Sequence, residues 1–358
     1  MKRCKKCGLP KSYPGVQFNK DNICNYCVYF EFYKKREEEI KRQLKKEFIK
    51  VIEEVRRKTH KSIYDCIVAY SGGKDSTFLL YFLKKKFNLK ILAHTLDNGF
   101  VSPQALRNIK KVINILDIDH KITRPRFEIM KKVFTYALTE RIPYPKEVIA
   151  MMSQVCAVCL GMVLGTTLKL AIRLKVPLIF VGFTPGQYPA ISLENFLKVK
   201  SCFFLSYKVY RDDPLDIIKI ISDPVREKFG REINRYYFKS QYVSKRLFIP
   251  KTLLPFHALL DYDEGKILKE IAKLGWKRPQ DTDTCSTNCL INTVGNYAHI
   301  RQWKFHPYVG ELSYLVREGK IRREDVISSE KIDENAYALR HTLDKLGLKI
   351  EQILDNDK

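Results

Sequence analysis

Hydrophobic and polar positions along this chain are most informative between residues 66 and 96. There two short apolar runs, CIVAY (66–70) and ILAHTL (91–96), flank a turn, SGGKDS (71–76), and an apolar segment beginning STFLLYFLKKKF. Short apolar runs bounded by turn residues read as buried strands, and the longer segment between them reads as a helix, so this stretch predicts a β-α-β unit. Helical periodicity follows over about 103–116, then IDHKIT as a third strand, a second helical region, and the run MMSQVCAVCLGMVLGTTLKLAIRLKVPLIFVGFTPGQ. That run reads as a helix and the strand LIFVGF, ending in TPGQ (184–187). Strands alternating with helices predict an α/β protein: a Rossmann-like doubly wound parallel sheet, whose right-handed crossovers place SGGKDS and TPGQ on one edge. Residues 28–60 are charged and amphipathic, without Gly or Pro, with Glu and Lys or Arg three or four apart; they predict one long helix. The expected organisation is a zinc-binding module at 1–28, a linking helix at 29–60, a nucleotide-binding domain at 61–200, and a mostly helical carboxyl-terminal region at 201–358 that completes the substrate site.

Composition narrows this picture. The chain has 358 residues, with 65 Lys plus Arg against 40 Asp plus Glu, a net charge of +25. It is long enough to bury a core without covalent staples, and its charge would attract polyanions such as RNA or phosphorylated metabolites. Genome composition or heat adaptation would give a similar balance. The opening MKRCKKCGLPKSYPG has charges and cysteines where a signal peptide needs an apolar core, so a cytoplasmic protein is expected. The stretch 148–168 is uncharged over a membrane-spanning length, yet it contains Ser153, Gln154, two cysteines and two threonines, and it reads as a buried helix with no membrane contact. There are ten cysteines, and eight of them fall in close pairs; in a reducing compartment that favours metal or sulfur chemistry over disulfides.

The first two pairs, Cys4, Cys7, Cys24 and Cys27, have the spacing C-x2-C-x16-C-x2-C of two knuckles closing on one tetrahedral ion, and zinc is the expected metal. Such a short segment cannot hold itself together by apolar burial, so the metal would supply its folding free energy. In SGGKDS, Gly72 and Gly73 allow close backbone approach, the first amides of the following helix face the turn, and Lys74 adds positive charge, a combination that holds an oxyanion. The Walker pattern is absent.

SGGKDS, placed between a buried strand and a helix, resembles the PP-loop, or adenine nucleotide alpha hydrolase-like, ATP pyrophosphatases. The resemblance implies that Ser71, Gly72, Gly73, Lys74, Asp75 and Ser76 bind the pyrophosphate portion of ATP and its magnesium. HTLDNGF (94–100) is similar to the family's second-strand turn, which adds Asp97 and Gly99; His94 reads as a packed strand residue. Gly182, at the end of LIFVGF, joins these candidates because strand carboxyl ends in such sheets face the ligand crevice. The chain also resembles two branches of the superfamily. One is the N-acetyl sugar amidotransferases, through the cysteine-rich opening, DTDTCSTNCLIN (281–292) and VREGKIRREDVI. The other is the tRNA thiolation enzymes, which carry a cysteine pair after the ATP motif and a third cysteine downstream.

These resemblances imply that ATP adenylates a substrate carbonyl oxygen and that a nucleophile then displaces AMP. Sulfide or persulfide would give a thiolated RNA base or a thioamide, and ammonia from a partner glutaminase would give an amidine. Cys156, Cys159, Cys285 and Cys289 are the candidate thiols, with Lys74 and Asp75 at the phosphates. Three thiolates can hold a [4Fe-4S] cluster and leave one iron open; a second zinc site, or unligated thiols doing persulfide chemistry, would use the same residues. The spacing C-x3-C does not choose between Cys285 and Cys289. A sulfur donor is the other partner this reading calls for, and a homodimer is compatible with it. A zinc-ribbon RNA-binding protein without catalysis would instead show steep salt dependence and no pyrophosphate release. The polar and aromatic side chains Trp303, His306, Tyr308 and Tyr314 read mainly as core and surface.

Overall fold

The computed structural model describes residues 1–57, 62–184, 214–238, 250–329, 331–334 and 336–354. Pro185, Gly186 and Gln187 of the TPGQ turn, Cys202, and much of the 201–260 stretch lie outside them.

Five parallel strands form one sheet in the order β3-β2-β1-β4-β5: β1 (Cys66–Ala69), β2 (Ile91–Leu96), β3 (Asp119–Thr123), β4 (Leu178–Phe180) and β5 (Lys251–Leu253). The chain leaves β1 for β2 on one side and returns to β4 on the other. This is the reversal that opens a crevice at the carboxyl edge of a doubly wound sheet. The central strands carry no hydrophobic-polar alternation because helices cover both faces; β2 is buried at all six positions and β4 at all three.

The helices up to the first undescribed stretch are α1 (Asn25–Arg57), α2 (Lys74–Phe87), α3 (Pro103–Leu116), α4 (Phe127–Thr139), α5 (Lys146–Met151) and α6 (Gln154–Leu174). After it come α7 (Pro214–Phe229), α8 (Pro255–Ala258), α9 (Glu264–Ala272), α10 (Ile291–Trp303), α11 (Val309–Arg317), α12 (Arg323–Ser328) and α13 (Tyr337–Leu346). Ser102 caps α3, with its Oγ accepting the Gln104 N–H at 3.2 Å, and Ser153 caps α6 the same way through Cys156 N at 3.3 Å.

Of the amphipathic segment expected at 28–60, the residues through Arg57 lie in the long helix α1, and 58–60 are outside the described residues. The second half of α1 is part of the layer packed on the sheet. Leu44, Phe48, Val51 and Ile52, at i, i+4, i+7 and i+8, are buried, and the Phe48 ring lies 5.8 Å from that of Phe180 in β4. Helix α6 is long and apolar enough to cross a membrane, but 67% of its most hydrophobic window is buried inside the protein, against β1, β2, β4 and α7. Gly161 and Gly165 let the segment after α7 approach closely, since a Cβ on Gly161 would stand 2.7 Å from the Tyr237 ring and one on Gly165 2.8 Å from Phe238 N. The carboxyl-terminal helices follow as expected, with α10 packed on α6 and α13. The segment between Trp276 and Leu290 reaches back over the carboxyl edge of the sheet, where Val101 and Cys289 form an antiparallel bridge.

Candidate active site

The SGGKDS turn sits where β1 ends and α2 begins. Gly72 has φ +77, and a Cβ there would come within 2.7 Å of Ile109 Cγ1 and 2.9 Å of Ala105 O, so no other residue fits without displacing α3. Gly73 occupies the N-cap of α2 with no side-chain cap, which leaves the first amides of the helix for an outside acceptor. In this structure the acceptor for the Lys74 N–H is Thr287 Oγ1 at 3.0 Å, while Trp276 Nε1 donates to Gly72 O at 3.0 Å. Ser71 Oγ and Ser76 Oγ share a hydrogen bond of 3.0 Å. Lys74 Nζ lies 3.0 Å from Asp75 Oδ2 and over the Tyr262 ring. Burial works against its charge, but Asp75, Tyr262 and Glu264 overcome that effect and hold its pKa above the ordinary lysine range. The other carboxylate oxygen, Asp75 Oδ1, is enclosed and has no partner among the described residues. Such an orphaned acceptor at the end of a central strand fits a magnesium ion.

The turn after β2 lies on the same edge. Asp97 Oδ1 accepts the Gly99 N–H at 3.2 Å and Asp97 Oδ2 accepts from Arg124 Nε at 3.0 Å. Gly99 has φ +85, and a Cβ on it would meet the Phe127 ring at 2.9 Å. His94 is buried between Thr167 Oγ1 and Thr123 Oγ1, each at 2.8 Å. Burial first, then His120 and Lys121, lower its pKa to about 4, so it is a neutral, packed ring. Gly182 brings the end of β4 close to the turn: a Cβ there would lie 3.4 Å from Ser76 Cα.

A cavity of about 320 Å³ opens at this edge, lined by Ser71, Gly73, Asp75, Ser76 and Gly182 and also by Cys156, Cys159, Cys285 and Cys289. Gly72, Lys74, Asp97 and Gly99 stand behind this lining. The two groups of candidates, read from segments far apart in the chain, therefore share one space. Cys156 Sγ donates to Asn292 Oδ1 at 3.3 Å. The Asn98 Nδ2 group faces Cys159 Sγ at 3.4 Å and Cys289 Sγ at 3.6 Å. Burial raises all four thiols, with Cys156, Cys159 and Cys285 each pushed up to about 12.

Cys156, Cys159 and Cys289 are electrostatic neighbours of one another, whereas the charged neighbours of Cys285 are Asp283, Glu311 and Lys74. Cys285 thus stands on the Lys74 side of the cavity. No three of these four sulfurs lie within 4.8 Å of one another, so they do not assemble a second single-ion zinc site. Thiolates that bind different irons of one cluster stand further apart than that, and a trio of half-buried thiols with an amide donor turned on two of them suits such a group.

At the amino terminus the Sγ atoms of Cys4, Cys7, Cys24 and Cys27 all lie within 4.8 Å of one another and are buried, a donor set that fits one tetrahedral zinc ion. Cys24 N donates to Cys4 Sγ at 3.2 Å and Arg317 Nη1 to Cys7 Sγ at 3.5 Å. The module is docked on the carboxyl-terminal helices. Tyr13 meets Phe305 edge-on at 5.4 Å, Ser12 Oγ donates to Lys304 O at 2.8 Å, and Arg323 Nε donates to Cys4 O at 3.1 Å.

Four residues absent from the sequence reading hold the site together: Asn98, Thr287, Asn292 and Asp283. Asn98 stands between two candidate residues, Asp97 and Gly99, and Asp283 is the third residue of the motif around Cys285. Nothing local in the sequence signals their partners, which are 61 to 213 residues away for Asn98 and Thr287.

No protein-family profile matches the chain. An uncharacterized protein of Methanocaldococcus jannaschii is 39% identical over 97 residues, 27% of this chain and 30% of that protein. The match thus spans less than a third of the relative. Among solved structures, the chain is similar to a U34-tRNA thiolase from Methanococcus maripaludis with its [4Fe-4S] cluster. That likeness has TM-score 0.37 and 17% identity, and covers 94% of this chain and 91% of that one. It is also similar to an NH3-dependent NAD synthetase from Campylobacter jejuni, with TM-score 0.27 and 12% identity over 54% of this chain and 95% of that one. In the sequence of its SGGKDS turn and in the place of that turn, between the central strand and the first helix of a doubly wound parallel sheet, the chain resembles the PP-loop ATP pyrophosphatases.

Proposed function

We propose that the chain is an ATP pyrophosphatase that adenylates a carbonyl oxygen of its substrate and then transfers sulfur to the same carbon. The observation that carries this reading is the single cavity in which the SGGKDS turn faces Cys156, Cys159 and Cys289. The substrate oxygen would attack the α-phosphorus of ATP and pyrophosphate would leave. Sulfide would then add to the carbon, and the bond to the original oxygen would break as AMP departs with it. The balance is carbonyl compound, ATP and hydrogen sulfide to thiocarbonyl compound, AMP and pyrophosphate. The protein's part in the first half would be charge neutralisation: the α2 amides and the Lys74 ammonium behind them would offset the charge of the phosphates, and Asp75 Oδ1 would offer magnesium a ligand.

Cys156, Cys159 and Cys289 are the residues that would hold a [4Fe-4S] cluster, with Cys285 left outside it. Such a group would supply an iron free of protein thiolate on which sulfide can be held. The net charge of +25 suits RNA as the acceptor. A second reading, amidine formation on an activated sugar with ammonia from a partner glutaminase, is favoured by the likeness of the cysteine-rich opening and of 281–292 to N-acetyl sugar amidotransferases; it uses the same first half and needs no cluster.

Two measurements test the proposal. Pyrophosphate release from ATP in the presence of bulk archaeal or bacterial tRNA should fall by about 10²–10³-fold in Lys74→Ala, the scale on which loss of one charge-stabilising group is felt. Iron, zinc and acid-labile sulfide in anaerobically purified protein should show iron that is lost in Cys156→Ala and Cys289→Ala but kept in Cys285→Ala. Zinc without iron, even after anaerobic reconstitution, would move the assignment to ammonia transfer.

A further inference from the structure

Three distant segments meet at the carboxamide of Asn98. The residue follows β2 and is buried at 4% exposure. Its Oδ1 accepts the Phe100 N–H at 2.9 Å, closing a turn of its own backbone. That bond fixes which way the amide faces, because a flipped group would set N–H against N–H. The Nδ2 group is therefore turned on sulfur, on Cys159 of α6 at 3.4 Å and on Cys289 at 3.6 Å.

The distance to Cys289 is also set by backbone pairing. Ser102 N donates to Asn288 O and Leu290 N to Phe100 O, each at 2.9 Å, on either side of the Val101–Cys289 bridge. The strand end that carries Asn98 and the loop that carries Cys289 are thus joined by backbone pairing, and the carboxamide links them to α6. An N–H donor aimed at two sulfurs favours negative charge on them.

We propose that Asn98 is a positioning residue for the sulfur chemistry of this cavity, holding Cys159 and Cys289 on one carboxamide and stabilising negative charge on both, whether they are free or bound to iron. This deepens the sulfur-transfer reading and rests on it. Cys285 lies outside the reach of this amide, and its amide nitrogen is held by Asp283 instead.

Two variants separate this role from that of the turn. Asn98→Asp keeps an oxygen for the Phe100 N–H and replaces the sulfur-facing donors with a carboxylate oxygen. Asn98→Ser keeps a hydroxyl acceptor for the turn, removes the donors and adds no charge. In reduced, metal-free full-length protein, isotope-labelled iodoacetamide followed by peptide mass analysis reads each cysteine separately.

Both variants should slow alkylation of Cys159 and Cys289 by about tenfold, the factor of one charge-assisted hydrogen bond, and leave Cys285 within about twofold. After anaerobic reconstitution, both should lower the midpoint potential of any bound iron–sulfur group. Wild-type rates at Cys159 and Cys289 in both variants, or equal changes at all four cysteines, would overturn the proposal. If Asn98→Asp does not fold, Asn98→Ser decides alone. Wild-type protein that takes up no iron would overturn the cluster reading and leave the alkylation comparison to judge Asn98 by itself.

Discussion

Asp283 shows how much of the site hangs on single side chains. Its carboxylate accepts five hydrogen bonds: from the amides of Cys285 (2.9 Å) and Ser286 (2.7 Å), and from Asn292 Nδ2, Thr293 Oγ1 and Asn296 Nδ2 at 2.8 to 3.3 Å. Asn292 passes the network on to Cys156 and to the Tyr308 hydroxyl, each through its Oδ1 at 3.3 Å. All five groups facing Asp283 are donors, so an amide there must turn its own N–H2 toward a donor. Asp283→Asn should lower stability by about 2 kcal/mol, read as a shift of the urea midpoint, and should speed alkylation of Cys285 while zinc content stays the same. An unchanged midpoint would show that the loop is held by its backbone pairing to 100–102 alone. The place of SGGKDS between β1 and α2 and the gathering of the amino-terminal cysteines were legible because both are written in local spacing. Asp283, Asn98 and Thr287 were not, because each is defined by donors or acceptors that the fold brings from elsewhere.

At the scale of elements, the four-cysteine module is bound to the helices that carry the site. Arg317, on α11, is half-buried with its guanidinium 3.5 Å from Cys7 Sγ and over the rings of Tyr26 and Tyr314. Burial lowers its pKa and the Cys7, Cys27 and Cys24 sulfurs more than restore it. Four thiolates around a zinc ion carry net negative charge, and Arg317 is placed to offset part of it. Removing the metal would leave a half-buried cation beside protonated thiols, with the docked surface of α10 to α12 beneath it. Strong chelation should therefore lower the thermal midpoint of the whole protein, and limited proteolysis should then cut in the carboxyl-terminal helices as well as in residues 1–28. Cleavage confined to the amino terminus would mean that the module is only an appendage. The helix expected at 28–60 was legible from its charge pattern, and the buried positions 44, 48, 51 and 52 were already at helical spacing. The arch of 276–290 over the SGGKDS turn was not, since Thr287 and Lys74 are 213 residues apart and no periodicity reports a contact of that range. Strand β5 was missed for a related reason: three residues at the edge of a sheet are too few to leave a pattern.

Over the whole molecule, buried histidines give stability a defined response to acid. His94 in the sheet, His299 in α10 and His306 after it are all buried. Burial lowers their pKa values to about 4, about 3 and about 4, helped at His94 by His120 and Lys121 and at His299 by His306. Neither ring nitrogen of His299 has a hydrogen-bond partner among the described residues, and its ring packs edge-on against Phe305 at 4.8 Å. In the unfolded chain these rings would protonate near 6.5. Between that value and the folded values the unfolded state binds more protons, so stability rises with pH, is fully present above about 6.5, and is lost progressively as pH falls toward 4. At pH 5 each histidine contributes up to about 2 kcal/mol of destabilisation relative to pH 7. The three sit in the sheet and in the helices that dock the zinc module, so acid should loosen both halves of the cavity together. Urea midpoints measured from pH 7 down to pH 5, with zinc content followed at each point, should fall steeply, and His299→Leu should flatten that fall by about one proton's worth of slope. A midpoint independent of pH over this range, with zinc retained, would mean that these rings are solvated and not enclosed.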